Sequence, residues 1–303
     1  PVELLPFLNW LLEHNPGLDI RILEWDFSII YSPDREWFQK WRFQWQSDGK
    51  IKFLFDAVHP VGASHHQKMV IIDNTVAFVG GLDICSERWD ERSHPTDSEL
   101  RRHSDGTPYE AFHDIQTYLK GPVAFEVAEL FRERWQLVEQ DGFSLSEPAP
   151  WRHPAPQDML SLSCTKVALS RTRGAVVTPQ IPSVKEIKSL IVDMITHAQR
   201  CIYLENQYFS SEAVYHALLQ RLQNAGSPLN VVLIMPGYFH SMVEQVALGV
   251  AQIKMVHSLR AAARQNGHKL GTYYRTTTPP GDNAANVYIH SKIMIVDDTI
   301  LTV

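Results

Sequence analysis

Hydrophobic and polar residues along the chain follow two patterns, one typical of amphipathic helices and one typical of buried strands. Near the start, apolar residues at helical spacing predict a helix over residues 3–14, and a β-branched run predicts a strand over 19–25. The same order recurs as a predicted helix over 213–224 and a predicted strand over 230–235. A glycine-containing break separates helix from strand in both places. Repeated helix-to-strand units of this kind are typical of α/β proteins.

A basic motif occurs twice, each time in a short run rich in Val, Ile and Met. The two copies, 224 residues apart, are His66-Gln67-Lys68-Met69-Val70-Ile71-Ile72-Asp73 and His290-Ser291-Lys292-Ile293-Met294-Ile295-Val296-Asp297. The match continues past the motif, since Thr75 corresponds to Thr299. Repetition over this distance predicts two similar halves in tandem.

A proline-rich stretch at residues 147–156 is the predicted linker between the halves. It gives an N-terminal half of residues 1–155 and a C-terminal half of residues 156–303. Aligning the halves indicates that the N-terminal half lacks its first strand, because the match to the predicted strand at 201–209 would precede the first residue. The C-terminal half is expected to be truncated after its motif, one position short of the residue that matches Gly80.

The motif spacing predicts which side chains share a face, because side chains alternate across a strand. If each motif lies in a buried strand, His66 and Lys68 point to one face of the first strand. His290 and Lys292 do the same in the second strand. The motif aspartates have the opposite parity, so we expect them to support the architecture without touching substrate. They are Asp73 and Asp297.

This pattern indicates phosphate chemistry, because buried strands normally exclude lysine and histidine. Two lysines supply fixed positive charge to a phosphodiester without a metal ion. One imidazole attacks phosphorus, and the other, protonated, gives a proton to the leaving oxygen. A phosphohistidine forms, and water or an alcohol then takes the phosphoryl group. The sequence therefore predicts a phosphodiester site with neither a metal nor another cofactor.

Composition narrows the classes of partner. The net charge of −6 argues against a broad basic surface for nucleic acid. No apolar run approaches the roughly 18 residues that a membrane-spanning helix needs. Three scattered cysteines are too few for a disulfide framework or a zinc site.

The paired His-x-Lys-x4-Asp motifs resemble the signature of the phospholipase D superfamily. Further segments are similar to its phosphatidylcholine-type branch, which is found in eukaryotes and some bacteria. They are Ser64–Lys68, Gly80–Asp83, Arg88–Asp90, Phe112–Gln116, Gly121-Pro122 and Ile202–Phe209. These segments distinguish that branch from the small nucleases of the superfamily, which carry one motif per chain.

The resemblance implies an α/β fold of two tandem α-β-α halves with mixed sheets, related by a pseudo-twofold axis, with one active site between them. It also implies hydrolysis of phospholipid, most simply phosphatidylcholine, to phosphatidate and a free head group, with transphosphatidylation to added alcohols. His66 is then the nucleophile, His290 the acid/base, and Asp114 the carboxylate that hydrogen-bonds the nucleophile. The expected partners are a phospholipid at a membrane surface and water or an alcohol, with no nucleic acid and a monomeric protein.

Several assignments stay open in the sequence. Asp83, Glu205 and Asn206 are candidate supporting residues, and turn or strand-end roles explain them about equally well. The rival functions are a cardiolipin-synthase-like phosphatidyltransferase, a nuclease, and a non-catalytic lipid-binding protein. The compartment is not predicted.

Overall fold

The structure is a computed structural model that describes residues 3–26, 39–139, 142–162, 164, 166–224, 226–238, 248–278 and 283–303. The chain forms two compact units. The first contains residues 1–78 and 118–185, and the second contains residues 79–117 and 186–303. The predicted linker at 147–156 thus lies within the first unit, and residues 79–117 belong with the second. The division into two halves at residue 155, inferred from the repeat, remains a prediction.

The first unit has a small apolar core formed by its first helix and its first strands. Leu5 and Leu12 of the first helix are buried there with Ile51 of the second strand. The first two strands pair in parallel, from Ile20 with Ile51 to Trp25 with Asp56. In chain order, the described elements up to residue 185 are α1 (Leu4–His14), β1 (Ile20–Trp25), α2 (Gln39–Gln46), β2 (Ile51–Asp56), β3 (Lys68–Ile72), β4 (Val76–Gly80), β5 (Phe112–His113), β6 (Gln116–Lys120), α3 (Pro122–Val138), β7 (Thr172–Arg173) and β8 (Val184–Lys185). Of these, β5 belongs to the second unit. Strands β3, β4 and β6 form a three-stranded sheet.

The second unit is built around a five-stranded sheet in the order β11-β10-β9-β14-β15. Its later elements are α4 (Glu186–His197), β9 (Cys201–Glu205), α5 (Glu212–Gln223), β10 (Asn230–Ile234), α6 (Val250–Gln265), β11 (Lys269–Tyr273), β12 (Arg275–Thr276), β13 (Asn286–Ile289), β14 (Ile293–Val296) and β15 (Ile300–Thr302). Strands β9, β10 and β11 are parallel, whereas β14 runs antiparallel to β9 and to β15. This sheet confirms the predicted mixed α/β class.

A single large core packs the helices of the second unit onto this sheet. Ile195 of α4, Leu218 of α5 and Leu259 of α6 are fully buried with Ile202 and Leu233 of the central strands. Burying each such side chain stabilises the fold by about 1.5–3 kcal/mol, so the sheet is a rigid support for residues at its edges. Beside it, β13 pairs in parallel with β5 and antiparallel with β12. The first motif leads into β3 of the three-stranded sheet β3-β4-β6, and the second leads into β14 of the five-stranded sheet.

Candidate active site

The motif residues lie at the entrance of their strands rather than within them. Strand β3 begins at Lys68 and β14 begins at Ile293, so His66, His290 and Lys292 precede the regular strands. In the second motif, the backbone N–H groups of His290 and Ser291 both donate to the carbonyl of His113, at 2.8 and 3.2 Å. The bond from His290 continues the parallel pairing of β13 with β5, and the bond from Ser291 to the same carbonyl lies just beyond the last paired residues.

Each motif lysine folds back onto the histidine that precedes it by two residues. Nζ of Lys68 donates to the carbonyl oxygen of His66 at 3.2 Å, and Nζ of Lys292 donates to that of His290 at 2.5 Å. His66 is exposed within its own unit, while His290 is only 6% exposed. The two copies therefore share a contact between the ammonium group and the backbone of the motif histidine, and in the second copy Nζ of Lys292 also lies 3.1 Å from Nδ1 of His290.

Asp114 holds the second motif histidine. Its Oδ2 lies 2.6 Å from Nδ1 of His290, and the Asp114 side chain is 2% exposed. The reason is the register of β5 and β13, which pairs Ile289 with His113 and so places the next residue of each strand side by side. The structure shows this carboxylate holding His290, and the contact of Asp114 with His66 that the resemblance implied stays a prediction. The carboxylate favours the tautomer with a proton on Nδ1, which leaves Nε2 available for proton transfer.

The pKa of His290 lies below its ordinary value. Burial is the largest cause, and the hydrogen bond and charge of Asp114 oppose it by favouring the imidazolium. The positive charges of Lys292 and Arg88 lower the pKa further. An anion bound beside these groups would reverse that last effect and favour protonation.

Glu205 anchors the residue between the motif histidine and lysine. Its Oε2 accepts a hydrogen bond from Ser291 Oγ at 2.5 Å and lies 3.4 Å from Nε2 of His113. Its Oε1 accepts a hydrogen bond from Tyr203 at 2.5 Å. Burial raises the pKa of Glu205, but the bonds from His113, Ser291 and Tyr203 outweigh burial and hold it at about 2. The ionised carboxylate of Glu205 thus holds the side chain of Ser291, the residue between His290 and Lys292.

A buried polar chain continues behind His113. Nδ1 of His113 lies 3.0 Å from Nε2 of His94, whose Nδ1 lies 2.9 Å from Asp90. Arg101 donates to the other oxygen of Asp90 at 3.0 Å. Sequence patterns did not identify these residues as site components, although Asp90 and Phe112–Asp114 fall in segments that carry the family resemblance. Their partners are distant in sequence, so no local pattern pairs them.

The motif aspartates begin the turns that follow β3 and β14. Asp73 and Asp297 have φ of 50° and 53°, and the residue after each also has positive φ. The carboxylate of Asp297 accepts three backbone hydrogen bonds, from Gln199, Arg200 and Cys201, at 2.7–2.8 Å. Burial opposes the effect, but these bonds keep the pKa of Asp297 below its usual range. Asp297 therefore braces the start of β9 in the structure.

The first motif has its own bracing network. Asp56, 2% exposed at the end of β2, accepts hydrogen bonds from Nε and Nη2 of Arg134 at 3.0 and 2.7 Å. Nε2 of His65 lies 3.2 Å from the same carboxylate, and Nη1 of Arg134 donates to Gln67 at 2.9 Å. Both neighbours of His66 are thus tied to one buried ion pair, which the sequence did not reveal.

The other two candidate supporting residues, Asn206 and Asp83, lie in turns or loops that follow strands. Asn206 Oδ1 accepts from the backbone N–H of Tyr208 at 3.3 Å, as in a strand-end turn. Asp83 is half-buried two residues after Gly81, and its supporting role stays a prediction. Gly81 itself lies against Asp114, where an added Cβ would come 2.1 Å from Oδ1 of that residue. Glycine is required there by close approach, a constraint that sequence alone does not show.

Neither a metal cluster nor a membrane span is found in the part of the chain that the structure describes. No group of three or more His, Cys, Asp or Glu side chains among the described residues is arranged to hold a metal ion. No helix in the same ranges combines the length and apolar composition that a membrane span needs.

Comparisons with known proteins show which family the chain resembles. Residues 46–225 match the family model for phospholipase D. Phospholipase D beta 1 of Arabidopsis thaliana is 30% identical over 201 residues, covering 48% of this chain and 19% of that protein. Phospholipase D alpha 1 of Carica papaya is 24% identical, covering 79% of this chain and 43% of that protein. The chain therefore spans less than half the length of these relatives.

The fold also has a counterpart among solved structures. The crystal structure of a phosphatidylserine synthase from Haemophilus influenzae aligns with a TM-score of 0.56 at 14% identity, covering 97% of this chain and 67% of that one. At this identity the likeness concerns the fold alone. The family model, however, matches more than half of the sequence, and it includes the first motif. The chain belongs to the phospholipase D family.

Proposed function

We propose that the protein is a phospholipase D-type phosphodiesterase that hydrolyses phospholipid, with phosphatidylcholine as the first substrate to test. A ring nitrogen of His66 attacks phosphorus, and the bond from phosphorus to the head-group oxygen breaks. His290 gives its proton to that leaving oxygen, so that a phosphohistidine and a free head group result. Water or an alcohol then attacks phosphorus as His290 takes up its proton, which yields phosphatidate or a phosphatidyl alcohol and restores His66.

The contact between Asp114 and His290 carries this proposal. A buried imidazole held at Nδ1 by a carboxylate, with an ammonium beside it, is suited to proton transfer at Nε2 next to an anion. In the unliganded protein the pKa of His290 is lowered, with burial as the largest cause and Lys292 and Arg88 adding to it. A phosphodiester anion would offset those positive charges, so substrate binding itself would favour the protonated acid.

The lysines are proposed to hold the non-bridging phosphate oxygens. Both are placed by the same contact to a motif carbonyl, and Lys292 also lies 3.1 Å from Nδ1 of His290. The supporting residues are proposed to act through position, since Glu205 and Asp297 bond other protein groups.

The test uses the full-length protein with phosphatidylcholine vesicles in buffer containing ethanol, and phosphatidylethanol is measured. We expect product from the wild type, none from His66→Ala or His290→Ala, and normal product from His257→Ala. His257 is an exposed histidine of α6 and is a matched control. To assign the nucleophile, the reaction is stopped rapidly without acid, and the acid-labile phosphohistidine is located by mass spectrometry. We expect the modification on His66.

Folded wild-type protein without phosphatidylethanol or phosphatidate would contradict the phosphatidylcholine assignment. The same assay with phosphatidylglycerol then tests the cardiolipin-synthase-like alternative, which predicts cardiolipin as product. Plasmid DNA tests the nuclease. Vesicle binding without turnover of any of these substrates would indicate a non-catalytic lipid-binding protein.

A further inference from the structure

Arg88 lies beside the second motif with part of its guanidinium unsatisfied. Its Nε is buried and has no hydrogen-bond partner among the described residues. The guanidinium carbon is 4.8 Å from the centroid of the Phe112 ring, and that ring is 5.3 Å from the His290 ring. A buried N–H without an acceptor is unfavourable, so the position indicates a missing acceptor.

A cavity of about 270 Å³ opens next to this guanidinium. Its lining includes Arg88, Phe112 and Tyr288, and Tyr288 lies two residues before His290. The lining is thus formed by β5, β13 and the segment after β4, the same elements that place Asp114 and His290. The cavity is therefore lined by the elements that also carry the candidate active site.

We infer that Arg88 binds a non-bridging oxygen of the substrate phosphate and is a further catalytic residue of the proposed phosphodiesterase. Arginine suits this task because its planar fork of N–H donors matches phosphate oxygens and stays charged at all relevant pH values. The aromatic face of Phe112 holds the fork in place by cation–π contact. Arg88 then adds a third positive group to the two motif lysines, and an anionic oxygen satisfies its buried N–H.

The same placement explains an electrostatic effect on the motif histidine. After burial and the opposing hydrogen bond from Asp114, the charges of Lys292 and Arg88 both lower the pKa of His290. Arg88 is thus close enough for its charge to be felt by the imidazole. No ion pair joins Arg88 to Glu87 or Glu110 among the described residues that line this cavity.

The test measures binding of inorganic phosphate by calorimetry in wild type, Arg88→Met and Arg88→Lys. We expect phosphate binding to weaken by about tenfold or more in Arg88→Met and by less in Arg88→Lys, which keeps the charge and loses the fork. Arg102→Met is the matched control, because Arg102 is exposed and its guanidinium donates to the carbonyl of Gly106. Thermal melting establishes whether each variant is folded. If Arg88→Met does not fold, the phosphate affinity of Arg88→Lys decides the outcome.

A second readout follows His290 by NMR in the absence of phosphate. Removing the Arg88 charge should raise the pKa of His290, whereas Arg102→Met should leave it unchanged. Turnover of phosphatidylcholine should fall by about 10²–10³-fold in folded Arg88→Met, the usual loss for one donor to a developing anion.

Unchanged phosphate affinity in folded Arg88 variants, or no phosphate binding by the wild type, would overturn the inference. The inference rests on the proposed function only for the identity of the anion. Wild-type protein that binds phosphate through Arg88 but hydrolyses no phospholipid would refute the proposed function and leave Arg88 as an anion-binding residue. Normal hydrolysis of phospholipid by the wild type, with unchanged phosphate affinity in the Arg88 variants, would support the proposed function and overturn the inference about Arg88.

Discussion

The 2.6 Å contact between Asp114 Oδ2 and His290 Nδ1 joins residues that are 176 positions apart. It arises because β5 and β13 run parallel and end together, with Asp114 following one strand and His290 following the other. The contact opposes the effect of burial on the imidazole, since a nearby carboxylate favours its protonated form. Asp114 is therefore expected to set the pH range in which His290 acts.

Replacing Asp114 by Asn should slow the reaction and move its pH dependence. The loss of the charge lowers the pKa of His290 further, so the high-pH limb of kcat/KM, where the acid loses its proton, shifts to lower pH. We expect kcat at the optimum to fall by about 10–100-fold, as for other residues that orient a catalytic group. Steady-state rates measured from pH 4 to 9 give both quantities.

The control for this pH profile is Asp105→Asn. Asp105 is an exposed carboxylate that bonds the backbone and hydroxyl of Thr107. Its replacement should leave both limbs in place. A high-pH limb at the wild-type position in Asp114→Asn would show that His290 is not the group being titrated.

Local sequence patterns predicted the regular elements closely. The predicted helix at 213–224 is observed at Glu212–Gln223, and the predicted strand at 230–235 is observed at Asn230–Ile234. Their apolar spacing reflects burial against one core, which a single sequence records directly. The paired motif likewise indicated the family, because its residues are contiguous in the chain.

The arrangement of the site was less accessible to such patterns. The backbone contacts of the second motif left no local signal, since the N–H groups of His290 and Ser291 both donate to the carbonyl of the distant His113. The partner of Asp114 depends on pairing between strands far apart in the chain. Asp56 and Arg134, which brace the first motif, are ordinary charged residues until β2 and α3 are brought together. Pairing between distant strands leaves no local signal, so these contacts appear only in the folded chain.

Gly81 should be sensitive to the smallest side chain. In Gly81→Ala the added Cβ would meet the carboxylate of Asp114 at 2.1–2.9 Å, so Asp114 must shift away from His290. A displacement of this size can reduce catalysis by up to about 100-fold, while the fold, held by cores elsewhere, should persist. Activity and thermal melting are measured together. Gly226→Ala is the control, since its Cβ would meet nothing within 4 Å.

Normal activity of Gly81→Ala would mean that the Asp114 carboxylate can move without affecting His290. That result would weaken the orienting role assigned to this carboxylate. Reduced activity accompanied by normal melting would support it.

Asp297 should contribute to stability rather than to catalysis. Asp297→Asn keeps a residue that tolerates the φ of 53° but leaves one carbonyl oxygen in place of two carboxylate oxygens. With three backbone donors to satisfy, the variant should lose about 1–2 kcal/mol in the free energy of unfolding, measured with urea. Asp298→Asn in the same turn should lose less than about 0.5 kcal/mol, because its side chain is 80% exposed and its ion pair with Arg200 is 3.7 Å long. Equal losses in the two variants would contradict a specific bracing role for Asp297.

Glu205 should make the folded protein sensitive to acid. Its folded pKa of about 2 lies below the ordinary value of 4.5 because bonds from His113, Ser291 and Tyr203 outweigh the opposing effect of burial. The folded state therefore releases this proton more readily than the unfolded state, and the resulting stability is complete above pH 4.5 and lost as pH falls from 4.5 toward 2. Glu205→Gln should be about 1–3 kcal/mol less stable at pH 7 and should lose less further stability on acidification.

Urea unfolding of the Glu205→Gln variant at several pH values between 7 and 3.5 measures this difference, with exposed Glu99→Gln as the control. The control should follow the wild type throughout, because Glu99 is exposed. All three proteins keep some acid sensitivity, because Asp56, Asp90 and Asp297 also have lowered pKa values and are unchanged. If Glu205→Gln loses as much stability on acidification as the wild type, then the contacts described do not lower the pKa of the Glu205 carboxylate on folding. In that case the hydrogen bond from Ser291 would not favour the charged form of Glu205, and the placement of His290 and Lys292 would need another source.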